Sequence, residues 1–177
     1  VSKKAAAFDY QKLLWMNGEY IRMKSHEELF QLAWPFFQRA GFTDPELVRR
    51  LIPLYQERAK TLKEMAEMPW YFLREPEEYE ERGVRKHFKP EVAGWLRELA
   101  KRFEALGDWK AEAIEEVLRG LTDELGVKHA KLIHPTRLAV SGVTFGPGLF
   151  ELLEALGKEK VIRRLLKAAE FVDAKAV

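Results

Sequence analysis

The chain contains no cysteine, which removes disulfides, thiolate metal ligands and cysteine nucleophiles at once and fits a reducing compartment. Long apolar runs are also missing. None approaches the roughly 18 residues that a membrane helix needs, and the first ten residues, VSKKAAAFDY, lack the apolar core of a signal peptide. A cytoplasmic location without membrane attachment is the expectation. There is no phosphate-cradling GxxxxGK[ST], and Ser141-Gly142 lacks the GxSxG setting of a nucleophile elbow. The four histidines, His26, His87, His129 and His134, are far apart and in no ligand spacing, so no metal site is expected. Glutamates are plentiful, but nothing marks two of them as an acid and base pair. No catalytic residue is assigned.

Excess charge of one sign is equally scarce. The net charge is +2 over 177 residues, which argues against a generic DNA-coating protein and throws any nucleic-acid reading onto charge placement. Placement is uneven. From Lys128 to Val177 there are nine Lys and Arg against five Asp and Glu, so this segment carries +4 and everything before it −2. A solvated helix face would give the same count. Hydrophobic residues at 47% and charged residues at 33% are enough for a core in one compact domain or two small ones, and unlike a disordered chain.

Helical periodicity runs almost throughout, with no convincing strand, so the fold class expected is all-α. Asp9 can cap a first helix through about Met23, with Tyr10, Leu13, Leu14, Met16 and Ile21 at apolar positions. Ser25 and Glu28 have capping-box spacing, opening a helix to Gly41 that Pro35 should kink or divide. Asp44 or Thr43 precedes Pro45 at the next helix start, and Pro53 implies a bend. Between Met68 and Lys89 prolines, glycine and clustered glutamates mark a subdomain junction near residue 70, giving 1–70 and 71–177. Two long helices follow, about Lys89 to Ala105 and Asp108 to Leu125. A last one runs from about Lys158 to Val172, with Val161, Ile162, Leu165, Leu166 and Ala169 inward and the Arg163–Arg164 pair on a solvated face. Trp15, Trp34, Trp70, Trp95 and Trp109 mostly lie at core spacing.

One stretch differs in kind. In HPTRLAVSGVTFGPGLF, His134 to Phe150, Pro135 limits what precedes the run Leu138 to Val140. Gly142 admits unusual backbone, and Pro147 suits the first turn of a helix through Leu149 and Leu153. Backbone amides at that helix start, together with Arg137, can hydrogen-bond base edges or phosphates, while Phe145 or Leu149 offers apolar surface to an unstacked base. A plain helix-loop-helix connection is the alternative.

HPTRLAVSGVTFGPGLFELLEALGKEKVIRRL closely resembles the carboxyl-terminal region of bacterial glutamyl-tRNA synthetases. FDYQKLLWMNGEYIR (Phe8 to Arg22) is similar to the family's FDxxKLxWMNGxYIR element, and ERAKTLKEMAE (Glu57 to Glu67) resembles its segment before the second anticodon-binding subdomain. Order and approximate spacing match, covering essentially the whole chain. The HIGH-like and KMSKS-like catalytic signatures do not occur, and VSKK at residues 1–4 is not one of them.

The resemblance implies a helical-cage architecture of two consecutive helical subdomains that binds the anticodon stem and loop of glutamate tRNA. It implies a parent enzyme using ATP and Mg²⁺, with no cofactor in this chain. Arg58, in ERxKTL, matches an arginine that reads the first anticodon base, and Arg137, in PxR, one that reads the third. Gly146, Pro147 and Leu149 fall where the family's loop and helix start meet splayed bases, with only backbone available at Gly146. Arginine at position 58 accompanies enzymes restricted to glutamate tRNA. A monomer with no DNA partner is expected. A second reading is a helical module that docks an amidotransferase or another synthetase.

Overall fold

Ten α-helices and one 3₁₀ turn, with no strand among the described residues, make up the chain. The computed structural model describes residues 3–175, so Val1 and Ser2 of VSKK lie outside it, as does the Phe8 side chain. The helices fall into two compact units dividing between Leu73 and Arg74.

The first unit holds α1 (Lys3–Met23), α2 (His26–Ala40), α3 (Pro45–Tyr55), α4 (Leu62–Glu67) and the 3₁₀ turn Trp70–Phe72. Helix α1 does not wait for a cap at Asp9. It begins at Lys3, because the alanines at 5–7 are the strongest helix formers and carry the helix upstream. The Ser25 hydroxyl accepts from the Glu28 amide at 3.2 Å, and Asp44 from the Glu46 amide at 2.9 Å, so both expected caps form. Neither Pro35 nor Pro53 divides its helix. Both side chains are exposed, so the carbonyl each leaves without a donor can turn toward water.

Leu29, Ala33, Phe37, Val48, Leu51, Ile52, Tyr55 and Met65 form this unit's core, one stripe from each of α2, α3 and α4. Helix α1 adds little to it. Ile21 is buried, while Tyr10, Leu13, Met16, Tyr20 and Met23 are all more than half exposed.

What ties α1 down is polar. Gln56 is buried, and its Nε2 donates to Ile21 O at 3.0 Å and Lys24 O at 2.8 Å, satisfying carbonyls that a helix end leaves open. Asn17 Nδ2 donates to Lys60 O. The FDYQKLLWMNGEYIR and ERAKTL stretches, far apart in sequence, therefore meet in space.

The second unit holds α5 (Glu81–His87), α6 (Val92–Ala105), α7 (Ala111–Leu125), α8 (Ala130–Ser141), α9 (Leu149–Leu156) and α10 (Lys158–Lys175). Its core is drawn from every one of them, including Val84, Leu96, Phe103, Leu118, Leu132, Leu138, Leu152 and Leu165. Several boundaries differ from the expected ones. Helix α6 starts at Val92 instead of Lys89, and α7 at Ala111 instead of Asp108. Asp108 does not cap α7. The Glu154 carboxylate accepts from the Ala111 amide at 2.8 Å, a cap supplied by another helix and invisible to local pattern.

Helix α8 passes straight through Pro135, which is buried, because the residues on both sides bury an apolar face. Helix α10 runs to Lys175 with its inner face rotated from the expectation. Leu166 is 41% exposed, whereas Arg164 is 2% exposed and donates from Nη1 to Val140 O at 2.7 Å. The alternation Val161, Arg164, Leu165, Ala168, Ala169, Val172 is the buried stripe. A long guanidinium at this position reaches the end of α8, where the last carbonyls lack helical partners.

Replacing Gln56 with Ala should cost about 1–3 kcal/mol of stability through its unmatched carbonyls, read by urea unfolding. A change within about 0.5 kcal/mol would show that water replaces the amide. Arg164→Met should likewise destabilise, by leaving Val140 O without its donor.

Candidate functional site

Arg58 stands on the turn between α3 and α4. Its amide donates to Tyr55 O at 3.1 Å, continuing α3 by one turn, and its side chain is exposed. The next residues return the chain into α4, with Thr61 accepting from the Glu64 amide at 3.0 Å. Arg58 thus projects from a turn whose ends are fixed by helix α1 through Gln56 and Lys60.

In the second unit the expected site residues share one short stretch but not one role. Arg137 is half-exposed on α8, three residues after His134 and so on the same side of the helix. The Ser141 hydroxyl donates to Arg137 O at 2.7 Å and accepts from the Val143 amide at 3.3 Å, turning the chain at the end of α8. Gly142 has φ +78° there, and a side chain would meet Glu78 O at 3.0 Å. Gly146 has φ +151° and is buried. Pro147 is not in the first turn of a helix. Gly148 occupies the cap position and α9 begins at Leu149, so Pro147 is buried in the loop before it. Leu149 is 4% exposed and belongs to the core, whereas the Phe145 ring is 59% exposed.

The loop from Gly142 to Gly148 is held by a segment that sequence reasoning treated only as a junction. The Glu80 amide donates to Gly142 O at 2.8 Å, and the Glu80 carboxylate accepts from the Thr144 amide at 3.0 Å and its hydroxyl at 2.9 Å. At the other end of this segment, a strap over residues 75–80, Glu75 accepts from Arg163 at 2.9 Å and Lys167 at 3.2 Å, and Pro76 O accepts from Lys167 at 3.2 Å. The Arg163 hydrogen bond holds the Glu75 carboxyl below its ordinary value. Between these anchors Tyr79 packs edge-on against Phe88 and Phe171, and burial pushes its hydroxyl up to about 12. Gly83 lets α5 lie close against the loop: a methyl there would lie 2.7 Å from Thr144 Cγ2.

Beside this loop lies a cavity of about 300 Å³ lined by Glu80, Arg82, Gly83, Lys86, His87, His134 and Thr144. The rings of His87 and His134 stack at 4.8 Å. Burial lowers both histidines from 6.5, helped at His87 by His134, Lys86 and Lys131, and at His134 by Arg137 and Lys86. No signal could have found this pair, since the two lie on different helices with no spacing rule. Among the described residues no group of three or more His, Asp or Glu could hold a metal ion, and no helix is long and apolar enough to cross a membrane.

Ten helices carrying arginines on a turn and beside a clamped, glycine-shaped loop define an all-α binding module. The chain belongs to the anticodon binding domain family, whose model matches residues 28–169. It is 42% identical over 98% of its length to glutamate–tRNA ligase 1 of Caldanaerobacter subterraneus, and 43% identical over 97% to glutamate–tRNA ligase of Moorella thermoacetica. It spans 37% of each of those proteins. A crystal structure of a glutamate tRNA ligase from Elizabethkingia meningosepticum, in complex with its amino acid, matches with a TM-score of 0.84 at 30% identity. That match covers 90% of this chain and 32% of that one.

The depressed histidines give a pH prediction. As pH falls below about 6.5 the unfolded chain takes up protons that the folded pair resists, so stability is level above that pH and declines below it. Melting temperature should drop between about pH 7.5 and about pH 5.5, and by less in His134→Gln. An equal drop in that variant would remove the pair as the cause.

Proposed function

We propose that this chain binds the anticodon stem and loop of glutamate tRNA as the anticodon-binding portion of a cytoplasmic glutamate–tRNA ligase. In this reading the two units are successive anticodon-binding subdomains, Arg58 reads the first anticodon base and Arg137 the third. The carrying observation is the placement of Arg137 on a helix that ends in a clamped loop. A loop fixed by Glu80, Gly142 and Ser141 presents its groups with a smaller backbone ordering cost at binding. Unstacked RNA bases are read by stacking and by hydrogen bonds to their edges, and a guanidinium donates two such bonds in a fixed plane. Phe145 supplies the apolar face, and Gly146 and Pro147 shape the backbone beside it. Leu149 supports the loop from the core. Arg58 aligns the chain with the type restricted to glutamate tRNA. ATP and Mg²⁺ act elsewhere in the longer enzyme, and this chain binds as a monomer.

The exposed row Tyr10, Leu13, Met16, Tyr20 and Met23 on α1 favours a second activity, docking of a protein surface, with an amidotransferase or another synthetase as the occupant.

Titrating the chain with anticodon-arm hairpins of glutamate tRNA at low salt tests the assignment. Arg58→Ala should abolish discrimination at the first anticodon base and Arg137→Ala at the third. Each should weaken binding by about 1–3 kcal/mol, roughly 5- to 150-fold. Binding indifferent to the anticodon and to both arginines sinks it.

A further inference from the structure

The cavity beside the loop has a neighbour. On the far side of the His87–His134 stack a second cavity, about 250 Å³, opens between the end of α5 and the starts of α6 and α8. The two cavities share Lys86, His87 and His134 as a common wall. Lys89, Lys128 and Lys131 add cations to the second one, Trp95 adds a half-buried indole, and Glu91 is its one acidic residue. Lys89 is committed to Arg85 O at 2.9 Å. Lys86, Lys128 and Lys131 make no ion pair among the described residues, and all three are exposed.

Three lysines without ion-pair partners thus surround an aromatic-walled hollow. Burial lowers the flanking histidines, so the wall between the cavities is uncharged and flat near neutral pH. Charge outside and rings inside suit a ligand with an anionic edge and a planar body. His134 lies one helical turn before Arg137, about 4.5 Å along the axis of α8. A strand lying along the α8 surface beside Arg137, whatever that arginine contacts, therefore has a residue within reach of the stack.

We propose that this second cavity seats one nucleotide of the bound RNA outside the anticodon triplet, its phosphate among Lys86, Lys128 and Lys131 and its base against the histidine stack and Trp95. The site rests on the RNA-binding reading above but not on the anticodon-reading roles of Arg58 and Arg137. It supplies affinity and register, as phosphate contacts do, and not base identity.

The test compares the chain with the double variant Lys86→Gln/Lys131→Gln and a control double variant, Lys101→Gln/Lys160→Gln, from exposed positions of α6 and α10. Each is titrated with the anticodon-arm hairpin at several salt concentrations. Losing the one phosphate that the site neutralises should lower the slope of log affinity against log salt by about 0.8, so the affinity defect shrinks about three-fold from 50 to 200 mM salt. The order of preference among anticodon variants should not change. The ring signals of His87 and His134 should shift with the hairpin, while those of His26 should not. A slope and affinity equal to the control overturn the site, whatever the anticodon dependence. A lowered slope with no anticodon dependence keeps the site and removes the base-reading assignment. If inorganic phosphate at matched concentration moves both rings as far as the hairpin does, the cavity is a simple anion site and the nucleotide proposal fails. No hairpin binding by the unaltered chain at low salt overturns both.

Discussion

A guanidinium buried at the end of a helix governs the second unit. Arg164 donates to Val140 O and joins α10 to the last turn of α8, the point from which the loop to Gly148 departs. Burying a charge carries a heavy desolvation cost unless it is matched, and here that desolvation lowers the affinity of the guanidinium for its proton. The arrangement persists because the carbonyl end of a helix is the partial negative charge best able to receive it. With α10 so fixed, Arg163 and Lys167 on the adjoining face hold Glu75, and the strap that follows delivers Glu80 to Gly142 and Thr144. One helix therefore sets the loop twice, directly through Val140 and indirectly through the strap.

The first unit solves a similar problem with a neutral group. Gln56 uses its amide to close the end of α1 and so fixes the turn carrying Arg58. In both units the candidate reading arginine sits beside a helix end secured by a buried polar side chain from another element. This separates two demands. The buried partner sets the backbone, and the candidate arginine stands on the element so fixed.

The sequence disclosed the all-α class, most helices and the caps at Ser25 and Asp44, because these depend on periodicity and on contacts three residues apart or fewer. It failed where the partner is distant. Asp108 stood as the cap of α7, but Glu154 caps it from another helix. Arg164 passed for a surface residue because composition cannot tell a paired buried cation from a solvated one. Leu149 looked available to a base because its burial depends on how α9 packs. Pro35 argued for a kink or a division and Pro53 for a bend, yet both helices run on from exposed positions, and α8 runs on through the buried Pro135. Arg58 was singled out by resemblance alone, whereas the turn beside it had already marked Arg137, and resemblance supplied only its role. The strap and the histidine pair left no trace in the sequence, since each is a meeting of segments with no spacing in common.

The contact between Gly142 and Glu78 O constrains how this protein can change over generations. A side chain at 142 would strike backbone, and the polar contacts described for the strap's Glu80 fall on that same loop. An insertion or deletion in either segment would unseat the other, so their lengths can drift only together. New binding preferences would then arise by exchanging side chains such as the half-exposed Arg137 and the exposed Phe145 on an unaltered frame, and families built on this frame should vary far more in those side chains than in the lengths of the two segments.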